Sequence, residues 1–236
     1  MKKILLSALV CSALFSSNSH AQLPDGSLAP NFTTTDVNGN THTLYDYLDQ
    51  GYSVVLDISA TWCGPCWNYH TGGALEELWE NHGPAGQPGV SANTTDDVVV
   101  LWFEGDPSTP LSELTESQLG NWLAPDDLEL PMDTVVQFPM INDDNIASLY
   151  SLPYWPIIYT ICPNRQISES GQLSATQHYN NTGSCSQQAE GTDASIIGYN
   201  GDEALCGAGD VPVTVDIQNS GTDDLTSAEI MVYDGA

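Results

Sequence analysis

The chain has 236 residues, with 31 acidic side chains, only three basic ones and a formal net charge of −28 at pH 7. Nucleic acid phosphates and anionic lipid surfaces are bound through clustered lysine and arginine, so this composition argues against both kinds of partner. The length is sufficient for one well-buried domain and part of a second.

Residues 1–21 have the pattern of a secretory signal peptide. Lys2 and Lys3 precede an apolar run from Ile4 to Phe15, and small residues suited to cleavage end the segment. This run is too short to cross a bilayer, and the sequence offers no other membrane-spanning stretch. We therefore predict an exported protein, whether periplasmic, cell-surface or secreted, in which disulfides are permitted.

Two short β-prone runs, 31–35 and 41–44, lie on either side of Val37-Asn38-Gly39-Asn40. Asn-Gly between such runs is a strong signal for a β-hairpin. The next residues, 45–50, fit a helical turn. We expect a hairpin that leads directly into a short helix.

A continuous apolar run at 54–59 predicts a strand that is covered on both faces. It leads into the motif Trp62-Cys63-Gly64-Pro65-Cys66. Apolar residues then recur at helical spacing from Cys66 to about residue 81, which predicts one helix behind the motif. The two cysteines should therefore lie where a strand ends and a helix begins.

This position suits thiol chemistry. Unpaired N–H groups at a helix start favour a thiolate, and a C-x-x-C cysteine there can have a lowered pKa, which makes it the attacking sulfur. Pro65 is tolerated in the first turn, and Gly64 leaves room for another chain to approach Cys63. A structural zinc site would need two further ligands, and the sequence has no second close Cys/His pair, so we expect a redox site and no metal.

The remaining predicted elements of this domain alternate between strands and helices. They are apolar strands at 97–103 and 157–161, a short edge segment at 135–140, and helical patterns at 113–123 and 145–152. Pro139 confines the segment at 135–140 to a sheet edge. Such alternation predicts an α/β domain whose sheet is covered by helices.

The cysteine motif after a buried strand resembles the active site of thioredoxins. Leu28-Ala29-Pro30-Asn31-Phe32, followed by Asp36-Val37-Asn38-Gly39-Asn40, resembles the N-terminal hairpin of the redoxin branch, which includes extracytoplasmic reductases and peroxiredoxins. The resemblance covers about residues 24–170. It implies a thioredoxin fold, with a central mixed sheet covered by helices behind an N-terminal β-hairpin, and a thiol–disulfide oxidoreductase activity.

The resemblance also implies roles for residues outside the cysteine pair. Asp57 matches the buried acid that accepts the proton of the second cysteine, and a carboxyl in an apolar strand has a raised pKa in any case. A satisfied buried polar group that only fixes packing is the alternative. Trp155-Pro156 matches the family's cis-proline, with Pro153 as the competing position, and Trp62 joins the supporting residues of the active site.

The other polar and sulfur-bearing positions leave alternatives open. His70 lies four residues after Cys66 and can raise the thiolate fraction or simply pack. Cys185 and Cys206 flank a polar, glycine-rich segment, and we predict a structural disulfide between them. Cys162 then remains unpaired, as a buried inert thiol or as a resolving thiol.

The C-terminal quarter differs in composition. Serine, asparagine, glutamine, glycine and threonine increase after about residue 172, and alternating strand-like runs begin near residue 193. Three runs are too few for an immunoglobulin-like sandwich, so we predict an incomplete β-sandwich segment of adhesion type. The predicted divisions are a signal peptide at 1–21, a thioredoxin-like domain at 22–172, a linker at 173–192 and a partial β domain at 193–236.

The predicted function is that of an exported thiol–disulfide oxidoreductase that reduces protein or small-molecule disulfides through Cys63 and Cys66. We expect no cofactor, and an electron donor that the sequence does not identify. Two alternatives remain: a thiol peroxidase of the same fold, and a secreted binding or adhesion protein in which the redoxin domain is one module.

Overall fold

A computed structural model describes residues 22–125, 135–188, 191–200, 214–219, 221–223 and 225–230. The predicted signal peptide and Cys206 lie outside these residues. Within them, no helix combines the length and the apolar character that crossing a membrane requires.

The described chain alternates between strands and short helices, as the sequence predicts. In chain order the elements are β1 (Thr33–Thr35), β2 (Thr41–Thr43), α1 (Leu44–Asp49), β3 (Ser53–Ser59), α2 (Gly64–His70), α3 (Ala74–His82), β4 (Val98–Glu104), α4 (Glu113–Glu116), β5 (Met140–Asn142), α5 (Ile146–Leu149), β6 (Ile157–Ile161), β7 (Ile167–Glu169), α6 (Ala175–Thr182), β8 (Ala194–Asn200) and β9 (Thr214–Asn219).

Five strands form one mixed sheet in the order β5-β4-β3-β6-β7. β3 is parallel to β4 and antiparallel to β6, and β4 is parallel to β5. Every residue of β3, β4 and β6 is buried, because these unbroken apolar runs have both faces covered. This strand order, with helices over the sheet and a cysteine helix after the central strand, is the predicted thioredoxin fold.

The N-terminal hairpin forms as predicted, from β1 and β2. The Asp36 carboxylate accepts the backbone N–H groups of Asn38 and Asn40 at 2.9 and 2.8 Å, which closes the turn. Gly39 has φ +87°, a left-handed conformation that favours glycine. The Asn-Gly signal therefore reflects a real backbone requirement at this position.

The helix after the cysteine motif differs from the prediction. Instead of one helix to about residue 81 there are two, because Gly72-Gly73 interrupts the pattern and Gly73 has φ +74°. The helical pattern at 113–123 likewise forms only the four-residue α4. The break at Gly73 is favoured because glycine adopts positive φ without steric cost.

The sequence predicted a linker at 173–192, but part of this segment forms the helix α6. The linker prediction is therefore wrong for these residues. This helix begins with a capping box in which Ser174 and Gln177 satisfy each other's backbone N–H groups. Ala175 and His178 are buried, and α6 packs beside α3 on the sheet. The α/β domain therefore continues beyond residue 172. The helix α6 could not be identified from the sequence because its composition is largely polar.

The predicted Cys185–Cys206 disulfide is also wrong, because Cys185 is bonded to Cys162 with an S–S distance of 2.00 Å. Cys162 directly follows β6 and Cys185 lies just after α6, so that their Cα atoms come within 5.1 Å. Cys162 is thus neither a free inert thiol nor a resolving thiol in this structure. The bond fastens the end of α6 to the sheet.

Removing this disulfide should destabilise the domain. It closes a loop with a sequence separation of 23, and we expect the Cys162→Ala/Cys185→Ala variant to lose roughly 3 kcal/mol of unfolding free energy in the chain-entropy model. Urea denaturation of wild type and variant, both with oxidised Cys63 and Cys66, measures the loss. A Cys63→Ala/Cys66→Ala variant opens a much shorter loop and should lose less; an equal loss would contradict the loop-length explanation.

The two C-terminal strands, β8 and β9, form an antiparallel pair next to the α/β domain. Arg165 links the two parts: its guanidinium donates to the Asp49 carboxylate at 2.9 Å and to the Asn219 carbonyl at 2.7 Å, and it lies 4.1 Å over the Tyr45 ring. The larger immunoglobulin-like domain that the sequence suggested remains a prediction.

Candidate active site

The two cysteines of the motif lie at the carboxyl end of the central strand and are joined by a disulfide, with an S–S distance of 2.12 Å. Cys63 is the N-cap of α2, and its sulfur accepts the backbone N–H of Cys66 at 3.3 Å. A hydrogen bond to sulfur favours the charged form of a thiol, so this contact would stabilise a thiolate at a reduced Cys63.

The surroundings differ between the two sulfurs. Cys66 is completely buried, whereas Cys63 is 5% exposed and lies between residues that face solvent. Trp62 is 58% exposed and donates its indole N–H to Asp106 at 2.7 Å, and Pro65 is exposed as well. An incoming chain can therefore reach Cys63 more readily than Cys66.

The segment between β3 and α2 is hydrogen-bonded to Glu104, the last residue of β4, and to Ser117 farther along the chain. The buried Glu104 carboxylate accepts the N–H of Thr61 at 2.5 Å and that of Asp106 at 2.9 Å. Ser117 donates its hydroxyl to the Thr61 carbonyl at 2.7 Å. These contacts fix the approach to Cys63 before any substrate arrives.

Asp57 is completely buried on β3. Its Oδ1 accepts the Ser59 hydroxyl at 2.6 Å, and its Oδ2 makes no hydrogen bond. Burial raises the pKa of Asp57 to about 7, although the bond from Ser59 lowers it. A carboxyl with such a pKa can take up and release a proton near neutral pH.

The register between β3 and β4 shows on which face of the sheet the Asp57 side chain lies. Asp57 lies opposite Trp102 on β4, and the Trp102 ring contacts the His70 ring of α2 at a centroid distance of 5.9 Å. Neighbouring strands carry paired side chains on the same face. The Asp57 carboxyl therefore points to the side of the sheet that α2 covers, where Cys66 is buried.

His70 is a packed residue. Its ring is 1% exposed, stacks on Trp122 at a centroid distance of 5.0 Å, and donates from Nε2 to the Trp122 carbonyl at 2.8 Å. Burial lowers the pKa of His70 to about 4, so the ring is neutral at pH 7. The packing interpretation of His70 fits these contacts, because a neutral ring adds no charge that would favour a thiolate.

The Trp155-Pro156 peptide bond is cis, the isomer that the resemblance implied for this position, and no other described peptide bond is, including that before Pro153. Pro156 directly precedes β6, whose Ile157 lies opposite Ile58 of β3. The Trp155-Pro156 segment is thus at the same edge of the sheet as the residues that lead to Cys63.

The burial of two carboxyl groups, Glu104 and Glu76, was not predicted. Glu104 ends an apolar strand and Glu76 lies in an apparently amphipathic helix, so neither has a distinctive sequence pattern. Burial raises the pKa of each to about 7. Among the described residues, no group of three or more His, Cys, Asp or Glu side chains is arranged to hold a metal ion.

No protein-family model matches the chain. A stretch of 41 residues is 49% identical to the thiol-disulfide oxidoreductase ResA of Geobacillus kaustophilus, and it amounts to 17% of this chain and 22% of ResA. The chain therefore matches only about a fifth of the length of that curated relative.

Solved structures with a similar architecture include two bacterial proteins. The thioredoxin domain of a thiol-disulfide oxidoreductase from Bacteroides vulgatus is 16% identical, with a TM-score of 0.45 over 69% of this chain and 97% of that one. StoA from Bacillus subtilis is 14% identical, with a TM-score of 0.44 over 64% and 95%. Because both TM-scores are below 0.5, the fold is assigned from the strand order and helix placement of this chain.

Proposed function

We propose that this protein is an exported thiol–disulfide oxidoreductase that reduces protein disulfides through Cys63 and Cys66. The observation that carries the proposal is the disulfide at the start of α2, with one sulfur near the surface and a buried carboxyl on the face of the sheet beneath the other. The 41-residue similarity to a thiol-disulfide oxidoreductase supports the same chemistry. The signal-peptide pattern of residues 1–21 supports export.

In the proposed reaction the Cys63 thiolate attacks one sulfur of a substrate disulfide. The substrate S–S bond breaks, a Cys63–substrate disulfide forms, and the leaving thiolate takes a proton from solvent. Cys66 then gives its proton to Asp57 and attacks the Cys63 sulfur. The Cys63–substrate bond breaks, the Cys63–Cys66 disulfide forms, and the second substrate sulfur leaves as a thiolate that takes a proton from solvent. The protein thus loses two electrons and the substrate gains them.

Each cycle leaves the protein oxidised, and a dithiol donor must reduce it again. The Gly-Pro pair between Cys63 and Cys66 resembles that of the reducing members of the family, which supports a reductase over an oxidant.

The test compares two substrates under identical conditions. With dithiothreitol as the donor, we expect the purified protein to accelerate the reduction of insulin disulfides and to consume hydrogen peroxide only at the background rate. Peroxide turnover that exceeds insulin reduction would favour the thiol peroxidase. If a Cys63→Ser variant of the exported protein kept its full biological activity, the redoxin domain would be a module of a binding protein.

A further inference from the structure

Glu104 is a buried carboxylate that joins two loops at the active-site edge of the sheet. It is the last residue of β4, lies opposite Ser59 at the end of β3, and is completely buried. Its Oε2 accepts the backbone N–H of Thr61 at 2.5 Å, and its Oε1 accepts that of Asp106 at 2.9 Å. One carboxylate therefore holds together the segment that leads to Cys63 and the loop that follows β4.

These two contacts require a hydrogen-bond acceptor at both carboxyl oxygens. An ionised glutamate provides both, whereas glutamine has one acceptor oxygen and an NH₂ group at the other position. That NH₂ group would face a backbone N–H and leave it unpaired, which costs about as much as a lost hydrogen bond when the site is buried. Glutamine at position 104 would therefore keep the shape of the side chain and lose one of its two contacts.

The loop after β4 in turn holds the side chain of Trp62. Asp106 accepts the Trp62 indole N–H with its Oδ2 at 2.7 Å. Its Oδ1 accepts the backbone N–H and the hydroxyl of Ser108 at 2.9 and 2.7 Å, so the orientation of this carboxylate is fixed as well. Glu104 thus restrains Trp62 from both ends: the backbone through the neighbouring Thr61, and the indole through Asp106.

Trp62 is restrained although its side chain is on the surface. It is 58% exposed and directly precedes Cys63. An exposed aromatic side chain that is already ordered binds a partner more tightly, because no rotamer freedom is lost when the partner arrives. Since Cys63 is the attacking sulfur of the proposed reaction, the partner that meets the Trp62 ring is the polypeptide that carries the substrate disulfide.

We propose that Glu104 is a positioning residue of the thiol–disulfide reaction, which acts through Thr61 and Asp106 to hold Trp62 in the orientation that binds a protein substrate beside Cys63. The inference rests on the proposed oxidoreductase function. Glu104 takes no part in the exchange of bonds between sulfurs. Its contribution is to order the Trp62 ring before the substrate binds, so that the substrate does not have to order it.

The first measurement is the NMR signal of the Trp62 indole N–H in the oxidised protein, identified by its loss in Trp62→Ala. It is made at pH 8, where Glu104 is mostly ionised, since burial raises its pKa to about 7. In Glu104→Gln we expect the proton signal to move upfield and the hydrogen to exchange faster with water, because the bond to Asp106 is weakened. Glu80→Gln removes the same charge from an exposed position on α3 and should leave the signal unchanged.

The second measurement is insulin reduction by the same variants at pH 8. We expect kcat/KM to fall about tenfold in Glu104→Gln, the factor that corresponds to ordering one large side chain on binding, and to keep its wild-type value in Glu80→Gln. Because Glu104 acts through Trp62, the double variant Glu104→Gln/Trp62→Ala should lose no more than Trp62→Ala alone. A purely structural role of Glu104 would give additive losses instead.

An indole signal that is identical in wild type and Glu104→Gln, or additive losses in the double variant, overturns the inference even if the protein reduces insulin and the proposed function stands. A shifted indole signal in a protein that reduces no disulfide overturns the proposed function, and the substrate contact of Trp62 with it. If Glu104→Gln does not fold, Asp106→Asn alters the bond to the indole directly, at a half-buried position, and decides in the same way.

Discussion

A Cys66→Ser variant is expected to lose insulin reduction to the uncatalysed rate and to accumulate a covalent Cys63–substrate disulfide. Cys63, 5% exposed beside Trp62, can still attack a substrate, whereas the completely buried Cys66 is the sulfur that would release it. Without a resolving thiol the mixed disulfide has no intramolecular route to products. Non-reducing electrophoresis and intact mass spectrometry of the reaction with an oxidised substrate detect the adduct.

The matched variant Cys63→Ser should lose turnover and form no adduct, because the attacking sulfur is gone. The Cys162→Ala/Cys185→Ala variant is the control for cysteine removal as such; its remote disulfide should be dispensable for turnover below its unfolding temperature. An adduct on Cys66 in Cys63→Ser, or undiminished turnover in Cys63→Ser, would assign the attack to a different sulfur. Undiminished turnover in Cys66→Ser would show that Cys66 is not the sulfur that releases the substrate.

The central strands were predictable because burial on both faces gives a simple sequence pattern. β3, β4 and β6 are apolar runs of five to seven residues, and each occurs within a residue or two of its predicted position. The hairpin was predictable because Asn38-Gly39 meets a local backbone requirement. Sequence patterns of this kind are reliable when the interactions that decide the structure are local or uniformly apolar.

The predictions that were wrong have equally specific physical causes. The break at Gly72-Gly73 depends on one residue with positive φ inside an otherwise helical pattern. The α6 helix has few apolar residues, and its one strong signal, the capping box of Ser174 and Gln177, was hidden in a polar segment. The Cys162–Cys185 pairing depends on the sheet bringing distant residues together, and connectivity of that kind cannot be deduced from spacing.

The candidate site was predictable only in part. The cysteine motif and Asp57 can be identified because each follows from its position on a recognisable strand. Glu76 and Glu104 look like ordinary acidic residues among 31 acidic side chains. Their burial results from tertiary packing, so their raised pKa values become visible only once α3 and β4 are in place.

Replacing Asp57 by asparagine should stabilise the protein at high pH. The pKa of Asp57 is raised from 3.8 to about 7 by burial, so between these values the folded state holds a proton that the unfolded state has lost. The wild-type free energy of unfolding must then fall as pH rises through this window, by roughly 4 kcal/mol in total for this group. Asparagine has no proton to lose, and the difference between variant and wild type should grow from pH 4 to pH 7 and then level off.

Urea denaturation at intervals from pH 4 to pH 8.5 measures this difference. His70 contributes the opposite trend, because its pKa is lowered to about 4 and its stability contribution is lost as pH falls, but it is present in both proteins and cancels. Asp46→Asn is the control for replacing a carboxylate by an amide, since this side chain on α1 is exposed. A difference between Asp57→Asn and wild type that does not change with pH would mean that Asp57 is already ionised in the folded protein at pH 5, and that it is not a carboxyl that exchanges protons near neutral pH.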